Sequence, residues 1–285
     1  MSRNGPAVSE ANVLVIFWLS KALVSRLAPK TPQILEALVS LVESPDAATS
    51  VASARHFALL IAPDHVLSPA NGANVRLLAK QRVFSIVAPI ISERVRAINS
   101  ASANNPTESQ AEAQSRSHVK TSLLASLIGL IAHIPSSILV SEISTLLPLF
   151  LQTLDLETLD SVKIKLTTLN TLSKFIEENG INLINEAGYI EGLVKRLLKV
   201  STVARPYRKT SNPPRVRVQA LRCLCLMAKT PAHATFSKKT SPLLPLRDVV
   251  IYGLMPALDD PKRDVRTLAV DARAAWYREI DHDDD

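Results

Sequence analysis

Hydrophobic positions along this chain fall in short blocks whose apolar members recur every three or four residues, the period of a helix with one buried face. The blocks come in pairs. Residues 33–43 (QILEALVSLVE) are followed by 50–62 (SVASARHFALLIA), 75–98 by 118–131 (HVKTSLLASLIGLI), and 137–154 by 161–175 (SVKIKLTTLNTLSKF). Further on, 182–200 is followed by 215–228 (RVRVQALRCLCLMA), and 244–259 by 264–276 (DVRTLAVDARAAW). One block without a mate, 12–27 (NVLVIFWLSKALVSRL), precedes them all.

The later second blocks share an opening: Val119-Lys120, Val162-Lys163, Val216-Arg217 and Val265-Arg266, with the basic residues 43, 54 and 49 positions apart. A helical hairpin cannot bury both its apolar faces alone, so such units stack on their neighbours. The spacing, with insertions, suits two-helix repeats of about 40–47 residues. The pattern therefore predicts an all-α chain, a HEAT/armadillo-type α-solenoid of about five two-helix repeats plus an orphan N-terminal helix. Its expected limits are 11–280, after a disordered 1–10 and before an acidic tail at 281–285. Two interruptions are expected: a polar loop at 99–117 and a basic loop at 201–215.

In LDDPKRDVR (258–266), Pro261 should close the first helix of the last pair, since it cannot donate to the preceding turn. Asp264 can cap the next helix. Arg266 should then reach an acidic loop of its own or a neighbouring repeat, so the Val-Lys/Arg positions predict a ladder of packing contacts.

Composition agrees with helices. Hydrophobic residues make up 47% but aromatics only 4%, and there are 7 glycines, whereas strands favour aromatic and β-branched residues. The two cysteines, Cys223 and Cys225, form no disulfide framework and are too few for a cysteine-ligated iron–sulfur cluster. In an apolar run they read as small buried hydrophobes. The six histidines show no helical H-x-x-x-H pair, and there is no Gly-rich phosphate loop and no G-x-S-x-G elbow. No enzyme chemistry and no cofactor are expected. Apolar runs such as 122–135 read as too short and interrupted to cross a membrane.

Charge adds one feature. Between Gly192 and Arg247 there are thirteen bases and no acid, while the rest of the chain carries 20 bases against 26 acids. Such a block can meet phosphates or an acidic protein. It holds few aromatics to stack on bases, so a basic-patch nucleic-acid-binding solenoid is the alternative reading.

The stretch LMPALDDPKRDVRTLAVDARAAWY (254–277) resembles the closing repeat of the MMS-nineteen family. Residues 18–27 (WLSKALVSRL), 75–84 (VRLLAKQRVF) and 215–224 (RVRVQALRCL) are similar in the same order. That family comprises large HEAT-repeat subunits of the cytosolic iron–sulfur assembly targeting complex. The resemblance implies the C-terminal region of a non-enzymatic scaffold, without the family's N-terminal arch. It also implies docking to a MIP-eighteen-like protein and a WD40 propeller protein. Further implied contacts are iron–sulfur apoproteins such as DNA helicases and polymerases, and transcription factor IIH components, in cytoplasm and nucleus. No family motif fixes the contact residues. Charge and position on the second helices, expected to line a concave face, select Lys163, Arg217, Arg222, Arg266 and Arg273. The basic loop adds Arg205, Arg208 and Lys209.

Overall fold

A computed structural model describes residues 9–71, 74–104, 109–157, 161–203, 212–229 and 241–278. They are helical, with no strand among them, and divide into two compact units, 1–138 and 139–285.

The first unit contains α1 (Glu10–Ser25), α2 (Thr31–Val42), α3 (Ala47–His56), α4 (Leu77–Asn104) and α5 (Gln110–Ile131). The unpaired first block is α1, capped by Ser9, whose hydroxyl accepts from the Asn12 N–H at 3.3 Å. It ends where Leu27 takes a left-handed φ of 55° and the Ala28 N–H returns to the Leu23 carbonyl at 3.1 Å. Such a turn closes a helix with orphan carbonyls satisfied, usually on glycine. The second helices α1, α3 and α5 pack side by side, with α2 and α4 also in mutual contact. Phe17 of α1 meets Phe57, just beyond α3, edge to face at 5.6 Å. Ser50 of α3 bridges buried to Ser122 of α5 at 2.9 Å and donates to the Val42 carbonyl.

The expected polar loop at 99–117 is mostly helix. α4 runs on to Asn104, and α5 begins at Gln110 behind a capping box in which Ser109 and Glu112 satisfy each other's backbone N–H groups. This stretch is polar because it projects beyond the core, and its Ala, Gln and Glu are good helix formers. Ser-x-x-Glu was the legible signal of the helix start.

The second unit runs through α7 (Ile143–Asp155), α8 (Ser161–Asn179), α9 (Asn182–Glu186), α10 (Ile190–Ser201), α11 (Pro214–Lys229), α12 (Arg247–Gly253), α13 (Met255–Leu258) and α14 (Arg263–Arg278). A short α6 (Ser136–Leu139) precedes it. By length and composition alone, Ser136–Asp155 could cross a membrane, with a mean hydropathy of 1.5, contrary to the expectation that no run is long enough. Here it is broken at Val140–Glu142, and Leu146, Leu147, Phe150 and Leu154 of α7 are buried within the unit. The second helices stack in chain order, α8 on α11 and α11 on α14, with first helices α7, α10 and α12 alongside. Trp276 is wholly buried and donates its Nε1–H to the Leu224 carbonyl at 2.9 Å, fixing α14 on α11.

Candidate interaction surface

The ladder expected from the sequence exists in the second unit, at Arg217 and Arg266 as expected and at Lys165 in place of Lys163. On α8 the inward cation is Lys165, whose Nζ donates to Asn212 Oδ1 at 3.0 Å, just ahead of α11. On α11 it is Arg217. Its Nε and Nη2 donate to the two carboxylate oxygens of Asp260, ahead of α14, at 2.8 and 2.9 Å, and its Nη1 donates to the Asn212 carbonyl. On α14 it is Arg266, whose Nη1 donates to the Asp260 carbonyl at 2.6 Å. Each arginine thus grips the loop that leads into its own helix, and Arg217 also grips the loop of the next.

Three expectations change on this geometry. Lys163 is not a rung. It lies two residues, or about 200° of helix turn, from Lys165 and faces solvent. Ile164-Lys165 offered the same apolar-basic pair and was the one to align. Arg217 is not a docking residue, because its side chain is 4% exposed and its partner Asp260 is 0% exposed. Asp264 does not cap α14. It sits in the first helical turn, while Asp260 accepts from the Lys262 N–H in the turn ahead of the helix at 2.8 Å.

The basic block is also less free than its sequence implies. Lys195 pairs with Glu191, Arg196 with Asp155 at 2.7 Å, Lys199 with Glu157 at 3.6 Å, and Arg217 with Asp260. Glu191 sits one turn back on the same helix, at the edge of the acid-free stretch; Asp155, Glu157 and Asp260 lie outside it and are brought in by helix packing. Arg222 remains exposed on α11. Arg205, Arg208 and Lys209 lie outside the described residues.

Register now isolates one face. Counting from the rung, the same stripe carries Lys165, Leu169, Leu172 and Ile176 on α8, and Arg217, Leu221, Leu224 and Ala228 on α11, all buried. Contacts give its direction: Cys223 of α11 meets the Leu169 carbonyl, and Trp276 of α14 meets that of Leu224. On α14 the equivalent stripe is Arg266, Val270, Arg273 and Tyr277. It is exposed or half-exposed, with Val270 at 56% and Tyr277 at 39%. Both Arg273 and Arg247, at the start of α12, stack on the Tyr277 ring, their guanidinium carbons 5.6 and 5.5 Å from its centre. Arg273 Nε is buried without a hydrogen-bond partner. Elsewhere on the second unit, α12 and α13 expose Val249, Tyr252 at 74%, and Met255. Of the predicted residues, then, Arg266 and Arg273 share one face of one helix, while Lys163 and Arg222 stand on separate helices.

A family model described as "RNAPII transcription regulator C-terminal" (MMS19_C) matches residues 2–228. The chain belongs to the MMS19 family, as a C-terminal region. The MMS19 relatives agree along nearly the whole chain. It is 32% identical over 273 residues to the "DNA repair/transcription protein mms19" of Schizosaccharomyces pombe, covering 95% of this chain and 23% of that protein. It is 31% identical over 277 residues to the human "MMS19 nucleotide excision repair protein homolog" (96% and 23%), and 30% identical over 274 residues to that of Xenopus laevis (95% and 23%). The chain thus spans less than a quarter of the length of these MMS19 relatives.

Proposed function

We propose that this chain is a non-enzymatic scaffold of the cytosolic iron–sulfur protein assembly targeting complex. It docks a MIP-eighteen-like adapter and a WD40 propeller protein, and helps deliver clusters to apoproteins of DNA repair, replication and transcription, in cytoplasm and nucleus. Membership of the MMS19 family is the observation that carries this reading, and the names of its relatives place them in repair and transcription. The architecture supports it. Its helices are spent on packing one another. What the second unit offers a ligand is side-chain-rich surface, the usual working part of a helical repeat.

The rival reading, phosphate binding by the basic block, is weakened by the carboxylates that already engage Lys195, Arg196, Lys199 and Arg217. Two experiments decide. Co-purification of the tagged chain with mass spectrometry should return both adapters, and their absence beside a folded chain would overturn the scaffold reading. A salt titration against a short duplex should show no tight binding; micromolar affinity with a steep salt slope would favour nucleic acid.

A further inference from the structure

The geometry points to the outward stripe of α14, Arg266, Val270, Arg273 and Tyr277, as the docking site for an acidic amphipathic helix of a protein partner. On α8 and α11 the same four positions are filled by a cation and three apolar residues, and the next helix covers them. On α14 the cation is kept, but the apolar positions become valine, arginine and tyrosine. A face meant only for water would lose its apolar members; this one keeps Val270 and Tyr277 exposed. Tyrosine and arginine among aliphatic residues are what the energetic centres of protein interfaces are built from.

The chemistry of the occupant follows from the rungs. Arg217 holds its own loop carbonyl with one nitrogen and gives the remaining edge of its guanidinium to a carboxylate of the next unit. Arg266 makes the first of these contacts with the Asp260 carbonyl and is exposed. A carboxylate at the start of an incoming helix completes it, as Asp260 completes Arg217. About two turns along, Arg273 presents a second positive group over the Tyr277 ring. No acid lies on the stripe, so it selects a helix with carboxylates near both ends of an apolar seam.

The inference rests on the scaffold reading in supposing a protein partner, and two arms keep the failures apart. In the first, the intact chain is titrated calorimetrically with the purified adapter pair. The Arg266→Glu/Arg273→Glu double variant should bind at least tenfold more weakly. A Lys30→Glu/Arg96→Glu variant, with the same change in net charge, should bind as the parent does. Parent binding unaffected by the α14 variant would overturn the stripe and leave the scaffold standing; no binding by the parent would overturn the scaffold reading. The second arm needs no adapter. A synthetic amphipathic helical peptide with glutamates at both ends of a leucine seam is compared with its Glu→Gln twin, by chemical-shift perturbation. The acidic peptide should perturb α14, lose its effect in the double variant and weaken in high salt. Equal effects from both peptides would overturn the inference. So would perturbation that appears only after removal of residues 279–285, which would make the chain's own acidic end the occupant.

Discussion

Arg217 and Asp260 meet across the α11–α14 seam in a two-point ion pair, with nitrogen–oxygen distances of 2.8 and 2.9 Å and almost no solvent on either side chain. Two parallel bonds fix the guanidinium plane, and a third to the Asn212 carbonyl spends the remaining nitrogen. Replacing such a pair whole can cost little, but removing one partner strands a buried charge. Arg217→Ala should therefore destabilise the protein by about 3–5 kcal/mol, and the Arg217→Met/Asp260→Leu pair by much less. Urea unfolding of the two single variants and the double measures the coupling. A single-variant loss below about 1 kcal/mol would place the pair with ordinary surface bridges.

Lys21 of α1 makes the corresponding buried contact in the first unit, donating to the Ala62 carbonyl at 2.6 Å and pairing with Asp64. The Lys21 ammonium, helped by the N–H groups of Leu67 and Val66, lowers the Asp64 pKa to about 2. A depressed acid stabilises the fold only while it is ionised there. The contribution is thus complete above about 4, the range of a free aspartate, and is lost as pH falls toward about 2. The stability gap between the parent and Asp64→Asn should be constant at neutral pH and close within that acid window. A gap independent of pH down to 2 would mean that packing, not charge, sets the cost.

Helix pairing and helix order were legible because burial on one face imposes a periodicity that any reader of the chain can see. Register was not. Lys163 and Lys165 follow apolar residues equally well, and only packing against Asn212 tells the rung from the solvent-facing lysine. The fate of the basic block was hidden for a related reason. Asp155, Glu157 and Asp260 are distant in sequence from Arg196, Lys199 and Arg217, and tertiary contact alone makes them neighbours. The α14 stripe became visible only when equivalent positions on three helices could be compared for burial.

Gly253 ends α12 against Leu198 of α10. A β-carbon there would fall 2.7 Å from Leu198 Cδ1 and 3.2 Å from Cδ2. Both are ends of one side chain, so the strain is local and relievable. Gly253→Ala should cost about 1–3 kcal/mol through overpacking, and Leu198→Ala in the same chain should recover part of that loss instead of adding to it. Strict additivity of the two substitutions in thermal unfolding would show that the clash is not the cause.

Cys223 reports on the seam between α8 and α11, and Cys225 lies on another side of α11. Both are buried. Burial pushes the Cys223 thiol up to about 12, against an opposing influence from Ser173, whose hydroxyl lies 3.1 Å from the sulfur. Burial likewise raises Cys225. The thiolate is the reactive form, so neither residue should react with a disulfide reagent at pH 8 while the protein is folded. Both should react at once in denaturant. Their labelling rates at increasing urea should then follow the global unfolding equilibrium. Rapid labelling of Cys223 in native buffer would show instead that α11 separates from α8 without unfolding, and that the Ser173–Gln219 bond at 2.9 Å does not hold the seam shut.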